Sequence, residues 1–443
     1  MTVLIQALQL ILSLSILVIV HEFGHFIFAK LFKCRVEKFY LFFNPWFSLF
    51  KKKIGETEYG VGWLPLGGYV KIAGMIDESM DKDQMKQPAE PWEFRSKPAW
   101  QRLFIMVGGV FFNFVLAILI YSAVLFTWGE QYLPTENAKH GIVVNEIGEK
   151  IGLQNGDMIL SVDGNEVDDF NRIVPTIILD QASSIQVQRD SQIINLPIST
   201  EVFAELIKAK PPVIAARIPF VMKIVSFAKV SPARDAGFEL GDEVIKLNGK
   251  EFAYYDEFTA ELKKHKEKSV PVTVLRDSDT LNYMVRIGES GMLGVSFDYN
   301  VASDLELATI NYGLLESVPA GINKGVSTSG NYLKQFKLIF NPDTKAYESL
   351  GGFISIGKIF PGRWNWYAFW NMSAFLSIIL AIMNILPIPA LDGGHVMMVL
   401  WELITRRKPS EKFLEYAQTI GMILLLALVL MANLNDVIRL FTN

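Results

Sequence analysis

The chain has 443 residues, of which 51% are hydrophobic and 20% charged, and its formal net charge is −4. That apolar fraction is high for a wholly water-soluble protein, so membrane segments are the first thing to seek. The small negative charge argues against nucleic acid as a partner. The single cysteine, Cys34, excludes an intrachain disulfide framework and a cysteine-based zinc site.

In chain order, the first apolar run covers residues 3–20 and continues into His-Glu-Phe-Gly-His-Phe-Ile-Phe. Crossing about 30 Å of hydrocarbon takes roughly 20 apolar helical residues, so this run is close to a full span. It lacks a basic leader and a small-residue cleavage site, and so reads as a retained helix rather than a signal peptide. Residues 103–128 carry no charge and form a second candidate. Residues 369–386 lead through two prolines into Leu-Asp-Gly-Gly-His, a third. Residues 416–434 supply a fourth.

Lys and Arg set the expected orientation, because short basic connections stay on the cytoplasmic side. The segment between the first two spans is rich in them, including Lys51, Lys52 and Lys53, and the connection between the last two holds Arg406, Arg407, Lys408 and Lys412. Both loops are therefore expected to be cytoplasmic, with the termini and residues 129–362 on the far side. Cys34, on the cytoplasmic side of this scheme, offers itself as a thiol probe of it.

Between residues 130 and 303 hydropathy falls and alternating strand-like runs appear. Gly152-Leu-Gln-Asn-Gly156-Asp157, followed by Asp163-Gly164, matches Gly237-Phe-Glu-Leu-Gly241-Asp242, followed by Asn248-Gly249, at a constant offset of 85 positions. Asp-Gly and Asn-Gly between strand runs are strong turn signals. The pattern resembles the PDZ domain, whose sheet edge accepts a peptide as an added strand. The alternative is that the two copies act as spacers or steric filters.

The chemistry-bearing motif is His21-Glu22-Phe-Gly-His25 at the end of the first span. Histidines four residues apart lie on one helical face, and zinc accepts two neutral imidazoles readily. Glu22 is placed to take a proton from a metal-bound water, whose pKa the metal lowers toward neutrality. Ionisable groups in an apolar segment are costly and usually functional. A third ligand is expected from another apolar segment. Asp392, in Asn384-Ile-Leu-Pro387-Ile-Pro389-Ala-Leu-Asp392-Gly-Gly-His395, is the favoured candidate, with His395 as its competitor. A membrane-embedded carboxylate costs on the order of 3 kcal/mol, which binding a cation offsets. Pro387 and Pro389 break the helix, and irregular backbone at membrane depth needs a protein-lined or wet cavity.

Together the two motifs resemble the site-2 protease family of intramembrane zinc metalloproteases, of the bacterial regulator-of-sigma-E protease type. His21 to His25 match the family's H-E-x-x-H, and Asn384 to Gly393 match its N-x-x-P-x-P-x-L-D-G. The resemblance covers nearly the whole chain. It implies that His21, His25 and Asp392 bind one Zn2+ per chain, that Glu22 is the catalytic acid/base, and that Asn384 contacts the extended substrate. It also implies a membrane-associated β-hairpin in the first loop, for which residues 56–71 are the candidate. Gly67 and Gly68 there are expected to lie against substrate, unless they only make a turn. Two departures stand out: Val110 replaces the proline of G-P-x-x-N in the second span, and Gly351-Gly352-Phe353 stands where S-G-P is common.

The expected fold is an α-helical polytopic membrane protein of about four transmembrane helices with two inserted β-rich PDZ-like domains. The expected plan is as follows: residues 1–31, first transmembrane helix with the zinc motif; 32–100, cytoplasmic loop; 101–128, second helix; 129–212 and 213–300, the PDZ-like domains; 301–368, an amphipathic gating segment; 369–402, third transmembrane region; 416–441, fourth helix. The resemblance implies a multi-pass protein of the bacterial cytoplasmic (inner) membrane. Its expected substrates are single-span membrane proteins, such as anti-sigma factors and remnant signal peptides. Its other expected partners are the lipid bilayer and peptide ligands of the PDZ-like domains. A metal-handling protein or an adaptor without protease activity is the rival reading, and it gives Glu22 no task.

Overall fold

A computed structural model describes residues 1–65, 67–75, 88–209, 212–220, 222–298, 305–344, 346 and 351–442. The chain divides into two compact units: residues 1–129, 311–336 and 350–443 form one, and residues 130–310 with 337–349 form the other.

Among the described residues, the first unit contains four helices long and apolar enough to cross a membrane. These are α1 (Thr2–Leu31), α2 (Ala99–Trp128), α4 (Trp366–Ile385) and α6 (Glu411–Thr442). The amphipathic helix α3 (Leu314–Ile339) and the 14-residue helix α5 (Asp392–Thr405) complete its main helices. Apolar side chains cover the outside of these helices: Leu4, Leu8, Phe111, Leu119, Ile423 and Leu430 are all exposed. In water that surface would be untenable, and in lipid it is the expected one.

Inside, the helices are held by close approach and by polar contacts, as helices in lipid must be. A Cβ on Gly24 of α1 would collide with the backbone of Gly108 and Gly109 in α2, so the two helices touch main chain to main chain. The Ser373 hydroxyl in α4 donates to the Ser13 hydroxyl in α1 at 2.9 Å, and Ser377 donates to the Asn113 carbonyl in α2 at 2.8 Å. Helix α2 runs unbroken through Val110, the position where many relatives by motif have proline.

Between α1 and α2 lies a four-stranded sheet of β1 (Val36–Leu41), β2 (Phe43–Ile54), β3 (Thr57–Leu64) and β4 (Tyr69–Ile72), in the order β2-β3-β1-β4. This corrects the expectation of a hairpin over residues 56–71. β3 and β4 do not pair with each other. Both flank β1, β3 parallel to it and β4 antiparallel, and the hairpin is β2–β3, turning at Gly55. Local turn chemistry around Gly67 and Gly68 suggested the wrong partner, because strand pairing is decided by β1, which precedes both. Leu66 lies outside the described residues. Cys34, just after α1, is buried, and burial pushes its thiol up from its ordinary value. A buried thiol reports poorly on topology, so the probe suggested by the sequence is unsuitable.

The third apolar region is two helices. α4 ends at Ile385, residues 386–391 are irregular, and α5 begins at Asp392. Pro387 and Pro389 cause the break. Ala390 sits at φ 80°, a conformation strained for any residue with a Cβ. Gly394 is packed so closely that a Cβ would lie 2.7 Å from the Pro389 Cα.

The second unit holds two hydrophobic cores, one around Ile173, Ile177, Ile185 and Val187, the other around Val244, Leu247, Val272 and Val285. Each is covered by a three-stranded antiparallel sheet, Met158–Val162 with Ser184–Arg189 and Gln192–Pro197 in the first, and Glu243–Leu247 with Ser269–Arg276 and Asp279–Arg286 in the second. The sequence repeat is also a repeat of contacts. Gly152 and Gly237 take φ 93° and 98°, and Gly156 and Gly241 take 94° and 95°. The buried Asp157 accepts two hydrogen bonds from Arg189, at 2.7 and 2.8 Å, and Asp242 accepts the same pair from Arg276. The G-D turn is thus an internal anchor, with its carboxylate neutralised by a bidentate arginine. Strand Ile214–Ala216 pairs with Ile142–Val144 of the first core, so a boundary at 212/213 cuts a strand from its domain. The segment 301–368 is likewise divided: Ala308–Ile310 pairs with Glu130–Tyr132, whereas residues 311–336 belong to the helical unit.

Candidate metal centre

The helical repeat places His21 and His25 on the face of α1 that meets α2, and both are buried. Asp392 arrives from the start of α5, aimed by the proline break. Three ligand-type atoms converge: His21 Nε2 and Asp392 Oδ2 lie 3.1 Å apart, His25 Nε2 and Asp392 Oδ2 3.3 Å, and the two Nε2 atoms 3.2 Å. Among the described residues this is the one such group of three. It contains Asp392 and not His395, the competitor three residues on.

The donor set fits a zinc ion. Four ligands arranged tetrahedrally at about 2.0–2.1 Å from zinc are separated from one another by about 3.3 Å. The observed triangle has that edge. Hydrogen bonding points the same way. His25 Nδ1 donates to the Ile105 carbonyl at 2.8 Å, and a carbonyl cannot donate back, so in the neutral ring the proton sits on Nδ1 and Nε2 is bare. With Nε2 bare on both rings, the buried Asp392 Oδ2 receives no hydrogen bond. Electron pairs facing one another without protons between them are stable only around a cation.

Glu22 follows His21 on the helix and is half-buried. It sits beside β4: a Cβ on Gly68 would come within 3.4 Å of Glu22 Cγ, and the Val70 N–H faces the Glu22 carboxylate. Gly68 is also wedged against the Tyr40 carbonyl and Val18, so it occupies a place no side chain fits. Gly67 is one residue further out, against the Phe43 ring. Asn384, at the end of α4, places its Nδ2 3.1 Å from His21 Nε2, at the rim of the cluster.

The sequence reading noted Gly109 and Asn113 only as the ends of the G-x-x-x-N stretch that lacks proline, without a role at the site, and the Ile105 carbonyl escaped it. The Ile105 carbonyl carries no side-chain signal at all. Gly109 is packed so that a Cβ would stand 2.5 Å from His25 Nε2. Asn113 is fully buried with its amide 3.2 Å from His21 Nδ1. The spacing Gly109-x-x-x-Asn113 puts both on one face of α2.

A His-Glu-x-x-His helix with a candidate metal site inside a bundle of apolar helices is the pattern of a membrane-embedded metallopeptidase. The chain matches the model of peptidase family M50 over residues 9–428 and belongs to that family, the site-2 proteases its motifs resemble. It is 29% identical to the regulator of sigma E protease of Haemophilus influenzae, over 97% of this chain and 98% of that protein. It is also similar to proteins provisionally named zinc metalloproteases, from Clostridium perfringens (28%, 97% of each chain) and Rickettsia conorii (26%, 98% of each).

Proposed function

We propose that this peptidase is a zinc-dependent intramembrane endopeptidase that cuts the transmembrane segments of single-span membrane proteins. The observation that carries the reading is the 3.1–3.3 Å triangle of His21, His25 and Asp392, with Glu22 beside it, inside helices that suit only lipid. When bound, zinc supplies a Lewis acid and a water acidified to near neutral pH. His21, His25 and Asp392 would hold the ion. Glu22 takes the proton of the attacking water and returns it to the leaving amine.

A transmembrane helix hides its amides in its own hydrogen bonds, so its backbone must be drawn out before it can be cut. Among the described residues β4 is the last strand of its sheet, a position where an unwound segment can be added as a further strand, and Gly68 lies close against Glu22 there. Asn384 at the rim of the cluster is suited to hold the same strand. The two β-rich cores share the PDZ pattern of turn and sheet, and in this reading they lie outside the cytoplasm, where they exclude substrates with bulky external domains. Anti-sigma regulators and remnant signal peptides fit that description, in a bacterial cytoplasmic membrane.

Glu22→Gln tests the proposal. The variant is expected to hold the same zinc per chain as the wild type and to cut a single-span reporter about 10²–10⁴-fold more slowly. A variant that cuts at the wild-type rate removes Glu22 from the chemistry. A wild type that holds no zinc overturns the reading as a whole.

A further inference from the structure

Asn113 is fully buried in α2, yet no metal ligand, substrate atom or proton in the reaction above requires it. Its backbone carbonyl accepts from Ser377, so its contribution to helix packing does not need the side chain. The side chain turns to His21, with one amide atom 3.2 Å from His21 Nδ1, while its other atom, Oδ1, has no hydrogen-bond partner among the described residues. An unpartnered amide oxygen in a lipid-embedded bundle is expensive.

The two atoms of an amide exchange places by a half-turn about the last side-chain bond, and the network decides between them. With nitrogen toward the ring, the amide donates to Nδ1, the ring proton moves to Nε2, and Nε2 cannot ligate. With oxygen toward the ring, Oδ1 accepts from Nδ1–H and Nε2 is bare toward Asp392 and His25. The second orientation gives Oδ1 a donor and turns the Nδ2 amide to the side where Oδ1 stood. It also makes His21 like His25, whose Nδ1–H is held by Ile105. Metal-binding histidines commonly have the far nitrogen held in this way.

We propose that Asn113 is a positioning residue that holds His21 in the Nδ1-protonated tautomer and so completes the metal site. The inference rests on the zinc reading above. α1 supplies two ligands from one helix face, and each is set by a different acceptor on α2: a main-chain carbonyl for His25, a side-chain amide for His21. Gly109 leaves both rings room between those two acceptors. The tautomer of one ligand thus depends on the registration of α2 against α1.

The test uses the full chain in detergent, with zinc itself as the probe. In zinc-loaded wild type, ¹⁵N spectra of the histidines are expected to show His21 protonated at Nδ1. Coordination through Nδ1 would overturn the proposal without any variant. Asn113→Ala is expected to lose zinc to a competing chelator at about 10–100-fold lower chelator concentration. Its cleavage should recover in part when zinc is added in excess. Asn113→Asp, which keeps an acceptor toward His21, should stay within a few-fold of wild type. Ser373→Ala removes a neighbouring buried hydrogen bond away from the ring, and its zinc retention should not change. Wild-type zinc retention and an unchanged His21 signal in Asn113→Ala would show that the residue only packs. Absence of zinc from the wild type would instead refute the reading on which the proposal rests.

Discussion

Gly109 gives the sharpest forecast, because an added methyl group has nowhere to go. In Gly109→Ala the new carbon stands 2.5 Å from His25 Nε2 and 2.7 and 2.8 Å from His21 Cε1 and Nδ1. Ordinary contact begins at 3.4 Å, so something must yield by about 0.9 Å. Backing α2 away by that amount would open the main-chain contact of Gly24 with Gly108 along the same interface, and would strain the 2.6 Å Arg102–Glu402 ion pair between α2 and α5. The imidazoles are the softer element and should move. Metal–ligand distances hold to within about 0.2 Å, so a displacement near 0.9 Å is several times what the site accepts. The fold should suffer less. Overpacking costs about 1–3 kcal/mol, and alanine recovers about 1 kcal/mol of helix propensity. The expected result is a variant that purifies folded, melts within several degrees of wild type, and has lost most of its zinc and its cleavage. Zinc per chain, melting temperature and reporter cleavage measured together decide it. Gly330→Ala is the control: among the described residues nothing lies within 4 Å of its added Cβ, so zinc and activity should be untouched. If Gly109→Ala keeps one zinc per chain and cuts normally, the packing argument is wrong.

Two further outcomes follow from other parts of the chain. The charge asymmetry of the loops predicts that Lys52→Cys, exposed on β2, reacts only with a membrane-permeant thiol reagent in intact cells. Thr280→Cys, exposed in the second β-rich core, should react with an impermeant one, and the reverse pattern would invert the topology. Native Cys34, being buried, should label slowly in either case. In the second core, hydrogen bonds from Lys264 and Lys250 hold the Glu261 carboxyl down at about 2, well below its ordinary 4.5. A depressed carboxyl contributes stability above its unfolded value and loses it as pH falls through the folded one. Hydrogen-exchange protection of helix Tyr255–Lys264 should therefore be flat from pH 8 to 5 and fall between about 4.5 and 2. Glu261→Gln should abolish that slope, and a slope that survives it would assign the effect elsewhere.

The sequence by itself determined the apolar helices, the His21–His25 pair and the repeated G-D turn, each for a local reason. Apolar runs of membrane length, histidines four apart, and a G-x-x-x-G-D turn repeated at one offset are all properties of neighbours along the chain. Even the broken helix before Asp392 was legible, because proline acts locally. Tertiary structure alone decided what depended on distant partners. Which strand lies beside β1, which core claims Ile214–Ala216, and that Asp392 rather than His395 completes the triangle are matters of long-range pairing. The supports of the metal centre were hidden for a further reason. The Ile105 carbonyl has no side-chain identity, and Gly109 acts through the atoms it lacks. Asn113 looks like any buried amide until the ring of His21 stands beside it. A ligand is chosen by its chemistry, which the sequence spells out; the groups that aim it are chosen by position, which only the packed helices define.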